Sequence, residues 1–526
     1  MRGLPIETAP NHARRRLLRA AAGAVGLAAT GIGARLLARP HFSADPFTDD
    51  PFTLGVASGD PSADGFVLWT RLAPEPLHGG GMPALDVPVQ WIVAEDEAFG
   101  RVVRSGVAIA SPQWAHSLHV EVEGLAPDRW YFYRFISGGV GSPVGRTRTL
   151  PAAGAAASRL RLAVASCQHF EQGYFCAYRH MLDDDLDFVV HVGDYIYAGA
   201  WGAQIRLHES AHAALTLDNY RNRHACYKRD PDLRNAHAAY PWLLSWYDHD
   251  VANDYAGPLS GDGQLPAEFA WRRAAAYRAY YEHMPLRGTH RPRSDGGMIM
   301  QSRLDFGALA RINLVDDRQY RSPHPCAERG VMIRDCAQRV AAAQTMLGAK
   351  QEQWLDDGLA RNPAQWNVLA QQTLIAPFEY RASDGGYDVW SDGWDSYASA
   401  RTRLLNRIGE RGTRNVIALG GDMHAFYVTD LKTDFGDADA PPVATEFVGT
   451  SITSDDVDYA AVSRDLAHNP QIRHFESRHR GYMFCEITPQ LWRTDLRIVD
   501  NVENPHSGGR KLASFYVEDG RPGAQV

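Results

Sequence analysis

The sequence predicts an α/β protein in which a small N-terminal β-sandwich, of immunoglobulin or fibronectin type, precedes a larger α/β domain. Three observations carry this expectation. Between Pro51 and Pro151 the apolar segments are short, rich in aromatic and β-branched residues, and separated by turn signals. After the Ala-rich linker at residues 152–158, compact apolar runs alternate with helix-like segments. The chain has 526 residues and is 45% hydrophobic, which suffices for cores in about two to four domains.

Residues 1–44 read as an export signal followed by the start of a mature chain. Arg14-Arg15-Arg16-Leu17-Leu18-Arg19 fits a twin-arginine pattern, and residues 20–33 are softly apolar, mostly Ala, Gly, Val and Leu. That stretch is short of the roughly 20 strongly apolar residues that a membrane span needs. The competing reading is an amphipathic or anchoring helix. The expectations are cleavage between Ala34 and Ala44, the twin-arginine translocation machinery as a partner, a periplasmic or secreted destination, and no stable membrane span in the mature chain.

In the sandwich, residues 50–151, strands are expected at 66–69, 89–93, 119–122 and 130–135, the last carrying the aromatic bulk suited to a sheet face. No chemical cluster stands out there. The second domain, residues 158–510, begins with apolar runs at 160–165 and 188–192. Helices are expected at 175–182, 271–283 and 339–359, and further short strands at 366–370 and 416–419. Strands at 484–487 and 493–498 close the domain. In such folds the chemistry gathers at strand C-terminal ends.

Charge narrows the function. Lys and Arg total 54 against 62 Asp and Glu, a net charge of −8, which speaks against specific nucleic-acid binding. An acidic protein that handles phosphate must attract it locally, with metal or arginine. Of the six cysteines, Cys326 and Cys336 are the best disulfide candidates, ten residues apart in a Pro/Arg-rich insertion; Cys176 and Cys226 are a weaker pair. Cys167 is expected to stay unpaired.

Four clusters set metal-ligating side chains beside or just after apolar runs: Val164-Ala165-Ser166-Cys167-Gln168, the run from Val190 to Tyr197, Trp246-Tyr247-Asp248-His249-Asp250 with Asn253, and Leu419-Gly420-Gly421-Asp422-Met423-His424. One alone is weak, because an Asp after Gly is commonly a turn residue and a single His commonly a satisfied core residue. Four in series indicate an assembled metal site.

Their order is similar to that of the calcineurin-like metallophosphoesterases, with Cys167 in the first-ligand slot, Asp248 in the Asn slot and Asp422 in place of a His. The wording most resembles the PhoD-like alkaline phosphatase D family. The resembling segments are Val56-Ala57-Ser58-Gly59-Asp60-Pro61, the Ala-Ser-Cys-Gln block, Gly-Asp-Tyr-Ile-Tyr, and residues 315–321. Gln371-Gln372 and residues 446–451 complete them, so the likeness runs from about Pro51 to at least Tyr482. The resemblance implies a phosphoesterase domain of two packed mixed sheets flanked by helices, with a site of ferric iron and calcium related to that of the purple acid phosphatases. Another divalent metal at the second position is the alternative.

Residue chemistry agrees. Cys167 thiolate and Tyr197 phenolate favour a strongly Lewis-acidic ion such as ferric iron. Asp194 would bridge two metals and His424 would complete the iron shell. Asp248 and Asp422 offer oxygen, which suits calcium or magnesium. Asn253 and Gln371 would add neutral oxygen donors or hold phosphate. His249 is expected to stabilise the transition state or protonate the leaving oxygen. Arg318 and Tyr320 are candidate phosphate contacts. Two positions depart from the family pattern: Tyr247 replaces an acid, and Asp317 stands beside Arg318 where a Thr is usual.

The expected activity is hydrolysis of small or polymeric phosphate mono- or diesters by in-line attack of a metal-bound hydroxide. The rivals are a phosphatase with Ser166 as covalent nucleophile and a secreted binding protein with a structural metal. Loops around Trp201 and Trp394 are expected to close over a second ester substituent.

Overall fold

The computed structural model describes residues 49–526, apart from Ala203, Glu328, Asp335, residues 361–363, Ala438 and Asp456. The twin-arginine segment and its cleavage region lie outside the described residues. Among the described residues no helix is long and apolar enough to cross a membrane.

Two large mixed sheets form the body. The ten-stranded sheet has four parallel strands at its centre: Leu160–Ala165, Phe188–Val192, Pro241–Ser245 and Val56–Gly59. The C-terminal meander from Gly481–Ile487 to Arg521–Gln525 extends one side, and Phe66–Arg71 and Ser117–Val122 extend the other. In the seven-stranded sheet, Ala310–Leu314, Trp366–Ala370, Val416–Gly420 and Pro442–Val448 run parallel. Leu162, Val164 and Val190 of the first sheet share one core with Ile312, Val368 and Ile417 of the second. Four of these strands are buried at every position, as expected of parallel strands covered on both faces, and they read as near-continuous apolar runs, with His191, Ser245 and Asn367 as the polar exceptions.

The N-terminal region differs from the expected sandwich. Val87–Ala94, Val102–Ala110, Trp130–Ser137, Val140–Gly141 and Gly145–Arg148 make a five-stranded sheet. The layer packed against it, through Phe66, Leu68, Val89, Tyr131 and Phe135, is the end of the ten-stranded sheet. Val56–Gly59 pairs in parallel with Pro241–Ser245, so this region shares a sheet with the rest of the molecule. Trp69 Nε1 donates to Glu282 O (3.0 Å), and His119 Nε2 bonds Tyr281 O (2.8 Å), tying that layer to the Pro266–His283 helix. Periodicity reports that a segment is a strand, not which distant strand it will pair with.

The expected helices at 175–182 and 271–283 correspond to Cys176–Met181 and Pro266–His283. The one expected at 339–359 is shorter. It spans Ala349–Ala360 and is preceded by a separate 3₁₀ turn at Ala337–Val340. Gly348 interrupts the helical run at φ +72°, where a Cβ would fall 2.7 Å from Tyr320 Cβ. Cys326 and Cys336 are joined in a disulfide, whereas Cys176 and Cys226 are both free and buried in the core, so the weaker pairing does not form.

Candidate metal centre

The parallel strands deliver the site. Cys167 lies two residues beyond Leu160–Ala165, Asp194 two beyond Phe188–Val192, Asp248 three beyond Pro241–Ser245, and Asp422 two beyond Val416–Gly420. Each chain turns sharply there. Cys167 (φ 57°), Asp194 (55°), Asp254 (53°), Asp422 (65°) and His424 (49°) all adopt the left-handed region. For a non-glycine residue this costs about 1–2 kcal/mol, and such outliers gather at functional sites. The surroundings hold the turns in place. Cys167 N–H donates to Gly193 O (3.2 Å) and Gln168 N–H to Asp194 O (3.1 Å). The Asp250 carboxylate accepts from the N–H groups of Asp194 (2.9 Å), Ile196 (3.0 Å) and Tyr247 (2.9 Å), clamping two ligand loops together. Gly193 itself must be glycine: its φ is +112°, and a Cβ would meet Tyr247 Cβ at 2.5 Å.

Donor atoms converge in three overlapping groups, each with all its atoms within 4.8 Å of one another. Cys167, Asp194 and His424 form the first; Asp194, Asp248 and His249 the second; Asp248, Asp254 and Asp392 the third. Asp194 and Asp248 each belong to two groups, as bridging carboxylates would. The Tyr197 hydroxyl joins the first group, 3.3 Å from Asp194 Oδ2 and 3.4 Å from His424 Nε2, and bonds Ser454 Oγ at 2.6 Å. His424 Nδ1 donates to Asp455 O (2.7 Å), which leaves the Nε2 lone pair available. Asp422 accepts from Thr373 Oγ1 at 2.6 Å.

This much buried acid needs a cation. Burial first, then Asp248 and Asp250, raise the Asp194 pKa well above the carboxylate range. Burial with Asp392 and Asp248 pushes Asp254 up to about 8, and burial with Asp248 and Asp392 pushes Asp422 up to about 7. Burial and the neighbouring carboxylates likewise raise the Cys167 thiol, and burial with Asp194 raises the Tyr197 phenol. Burial lowers His424 to about 3, and it also lowers His249, so both rings are neutral donors. Asp248 Oδ1 is buried and makes no hydrogen bond, although the Arg318 guanidinium lies 3.4 Å away. Groups that resist ionisation beside one another and neutral imidazoles together match what a metal cluster requires.

Several expected residues play other parts. Arg318 is fully buried. It grips both oxygens of Asp392, with Nη1 donating to Oδ1 at 2.8 Å, and lies 3.4 Å from Asp248 Oδ1. A guanidinium fork fits a carboxylate as well as a phosphate, and here the carboxylate is internal. Burial opposes the charge on Asp392, but Arg318, Arg321 and His324 outweigh it and hold its pKa below the usual range. Tyr247, the substituted position, supplies the ring over which Arg318 lies at 3.9 Å. Asp317 faces Gln372, whose N–H donates to its Oδ2 at 3.2 Å. Tyr320 donates to Met298 O (3.3 Å), away from the clustered donors. Gln371 Oε1 already accepts from Thr373 N (3.0 Å) and Trp394 Nε1 (3.2 Å), so it supports the site as a brace. Asn253 is exposed; the next residue, Asp254, enters the cluster, its N–H donating to Asp248 Oδ2 at 2.7 Å.

Sequence reasoning therefore missed Asp254 and Asp392. Asp254 stood one residue from the expected position. Asp392 lies in the Ser391-Asp392-Gly393 turn after Tyr387–Trp390, with no long apolar run to mark it. Ser166 is buried, and a Cβ on Gly421 would fall 2.4 Å from its hydroxyl, a covered position for a nucleophile. The two tryptophans diverge: Trp394 is buried beneath the site, whereas Trp201 is 52% exposed.

Comparison with known proteins follows the same lines. The PhoD-like phosphatase family matches residues 162–496, and the N-terminal domain of PhoD-like phosphatases matches residues 37–151. Alkaline phosphatase D of Bacillus subtilis (strain 168) is 43% identical, over 97% of this chain and 88% of its own. A solved structure of PhoD superposes with a TM-score of 0.87 at 44% identity, covering 91% of this chain and 92% of that one.

Proposed function

The chain belongs to the PhoD-like phosphatase family, and from that premise we propose that it is a metal-dependent phosphoric ester hydrolase, acting on phosphate mono- or diesters, whose reaction takes place over the overlapping donor groups. The observation that carries the reading is the sharing of Asp194 and Asp248 between adjacent groups, which allows metals to sit side by side along one row of carboxylates.

The donor chemistry divides the row. Cys167, Tyr197, Asp194 and His424 suit ferric iron, because the anionic thiolate and phenolate donors stabilise a highly charged, strongly Lewis-acidic ion. Asp248, Asp254 and Asp392 are all oxygen donors and suit calcium. When bound, the metals supply Lewis acidity, activating water and neutralising phosphoryl oxygens. The protein does the remaining work. Asp250 fixes the loops, Asp455 O sets the His424 tautomer, and Arg318 keeps Asp392 ionised. His249, held against Tyr197 with ring centroids 4.2 Å apart, presents a ring N–H to the departing oxygen.

We place the enzyme outside the cytoplasm. The twin-arginine pattern supports this, and the Cys326–Cys336 disulfide is at home in an oxidising compartment. The test is elemental analysis of the exported protein, combined with a visible spectrum and turnover of p-nitrophenyl phosphate and its bis-ester. Iron and calcium near stoichiometry, a phenolate charge-transfer band and chelator-sensitive hydrolysis are expected. A colourless, fully active zinc protein would overturn the iron assignment.

A further inference from the structure

Trp201 is a large aromatic side chain left half exposed (52%) beside the metal-ligand residues. It is not loose. One indole face is stacked on the buried His169 ring, with centroids 4.4 Å apart and planes 25° apart. Its edge meets Tyr197 at 5.5 Å and His249 at 5.6 Å. The Trp201 N–H donates to Glu171 Oε2 at 2.8 Å, anchoring the backbone. His169 in turn caps the Phe170–Gln172 turn, its Nδ1 accepting from Glu171 N–H at 3.2 Å. The indole is thus pre-positioned by aromatic contacts while much of its surface stays in water.

Such an arrangement is costly without an occupant, because exposed aromatic surface gains stability only when covered. Tyr197 and His249 both belong to the donor cluster, so an ester held there carries its organic substituent to within a ring's width of Trp201. Trp394, the other tryptophan near the site, is buried and bonded to Gln371 and offers no such surface.

We propose that Trp201 is a stacking platform for a planar aromatic substituent of the phosphate ester, an aryl group or a nucleobase, and so selects among substrates of the same metal centre. The inference rests on the phosphoric ester hydrolase reading and adds a substrate class to it. Stacking is non-covalent, and the bond-breaking chemistry is unaffected.

The experiment compares kcat/KM of metal-loaded wild type, Trp201→Ala and Trp201→Phe on bis(p-nitrophenyl) phosphate, p-nitrophenyl phosphate and glycerol 2-phosphate, with metal content measured for each. Trp201→Ala is expected to lose about two- to twelve-fold on the aryl esters, the span of one aromatic pair, and to leave glycerol 2-phosphate unchanged. Trp201→Phe should recover most of the aryl preference. An equal loss on all three substrates would overturn the platform and assign Trp201 to positioning His249 and His169. No loss on any would overturn it outright. A wild type that is metal-loaded yet inert towards all three esters would overturn the hydrolase reading and the platform together, an outcome distinct from either of the others.

Discussion

The two ends of the carboxylate row are built differently. At the Cys167 end, the donors are a thiol, a phenol, an imidazole and one carboxylate, and three of the four follow strand ends closely. At the Asp392 end, the donors are carboxylates only; Asp254 comes from a loop, Asp392 follows only the short strand Tyr387–Trp390, and Arg318 is buried among them as a resident cation. One end would select a metal by donor type, the other by charge and oxygen count. The first can be recognised from residue identity. The second needs its neighbours, because an aspartate in a loop looks like any other.

The largest expected effect comes from Asp194, which the Cys167 end shares with the middle of the row. Asp194→Asn should lower kcat/KM for p-nitrophenyl phosphate by about 10²- to 10³-fold, the scale of losing a principal electrostatic group, with loss of iron by elemental analysis. Retention of iron at full occupancy would contradict the placement of Asp194 in the iron set. Next, Cys167→Ser should weaken iron binding and bleach or shift the visible band while calcium content holds. Asp392→Asn should do the reverse, raising the calcium concentration needed for half-maximal activity by about 10- to 100-fold with the band intact. It should also destabilise the fold by about 3–5 kcal/mol in a denaturant titration, because Arg318 would lose its buried partner.

Acidity sharpens the comparison. The folded metal-free protein holds protons on Asp254 to about pH 8 and on Asp422 to about pH 7, far above the unfolded value near 3.8. A raised acid pKa means that the folded state binds more protons, so the stability these groups contribute is present below about pH 4. It is lost as pH rises towards 7–8. Chelated protein should therefore show a falling Tm over that interval, while metal-loaded protein should not, and the gap between the two should widen with pH and level off above about pH 8. Parallel melting curves would contradict the assignment. The smallest effect belongs to Asn253→Ala, expected within about 0.5 kcal/mol of wild type and with unchanged activity, as for a surface position; its neighbour Asp254→Asn should resemble Asp392→Asn in calcium dependence.

The sequence alone carried the α/β body, the strand ends and the candidate donors that converge after them, Cys167, Asp194, Tyr197, Asp248 and His424, because an apolar run ending in a ligating residue is a local pattern; Asp422, read in the same way, accepts from Thr373 and stands outside the three donor groups. It also held the motifs that carry the family resemblance. Tertiary structure alone decided the rest. It merged three of the N-terminal strands, Val56–Gly59, Phe66–Arg71 and Ser117–Val122, into the main sheet, since pairing is a choice between distant segments. It turned Arg318 inward, since a guanidinium takes the nearest fitting anion, and that anion, Asp392, lies 74 residues away in the chain. It chose Asp254 over Asn253, since the loop geometry that aims one of two adjacent side chains into the cluster is set by what the loop packs against.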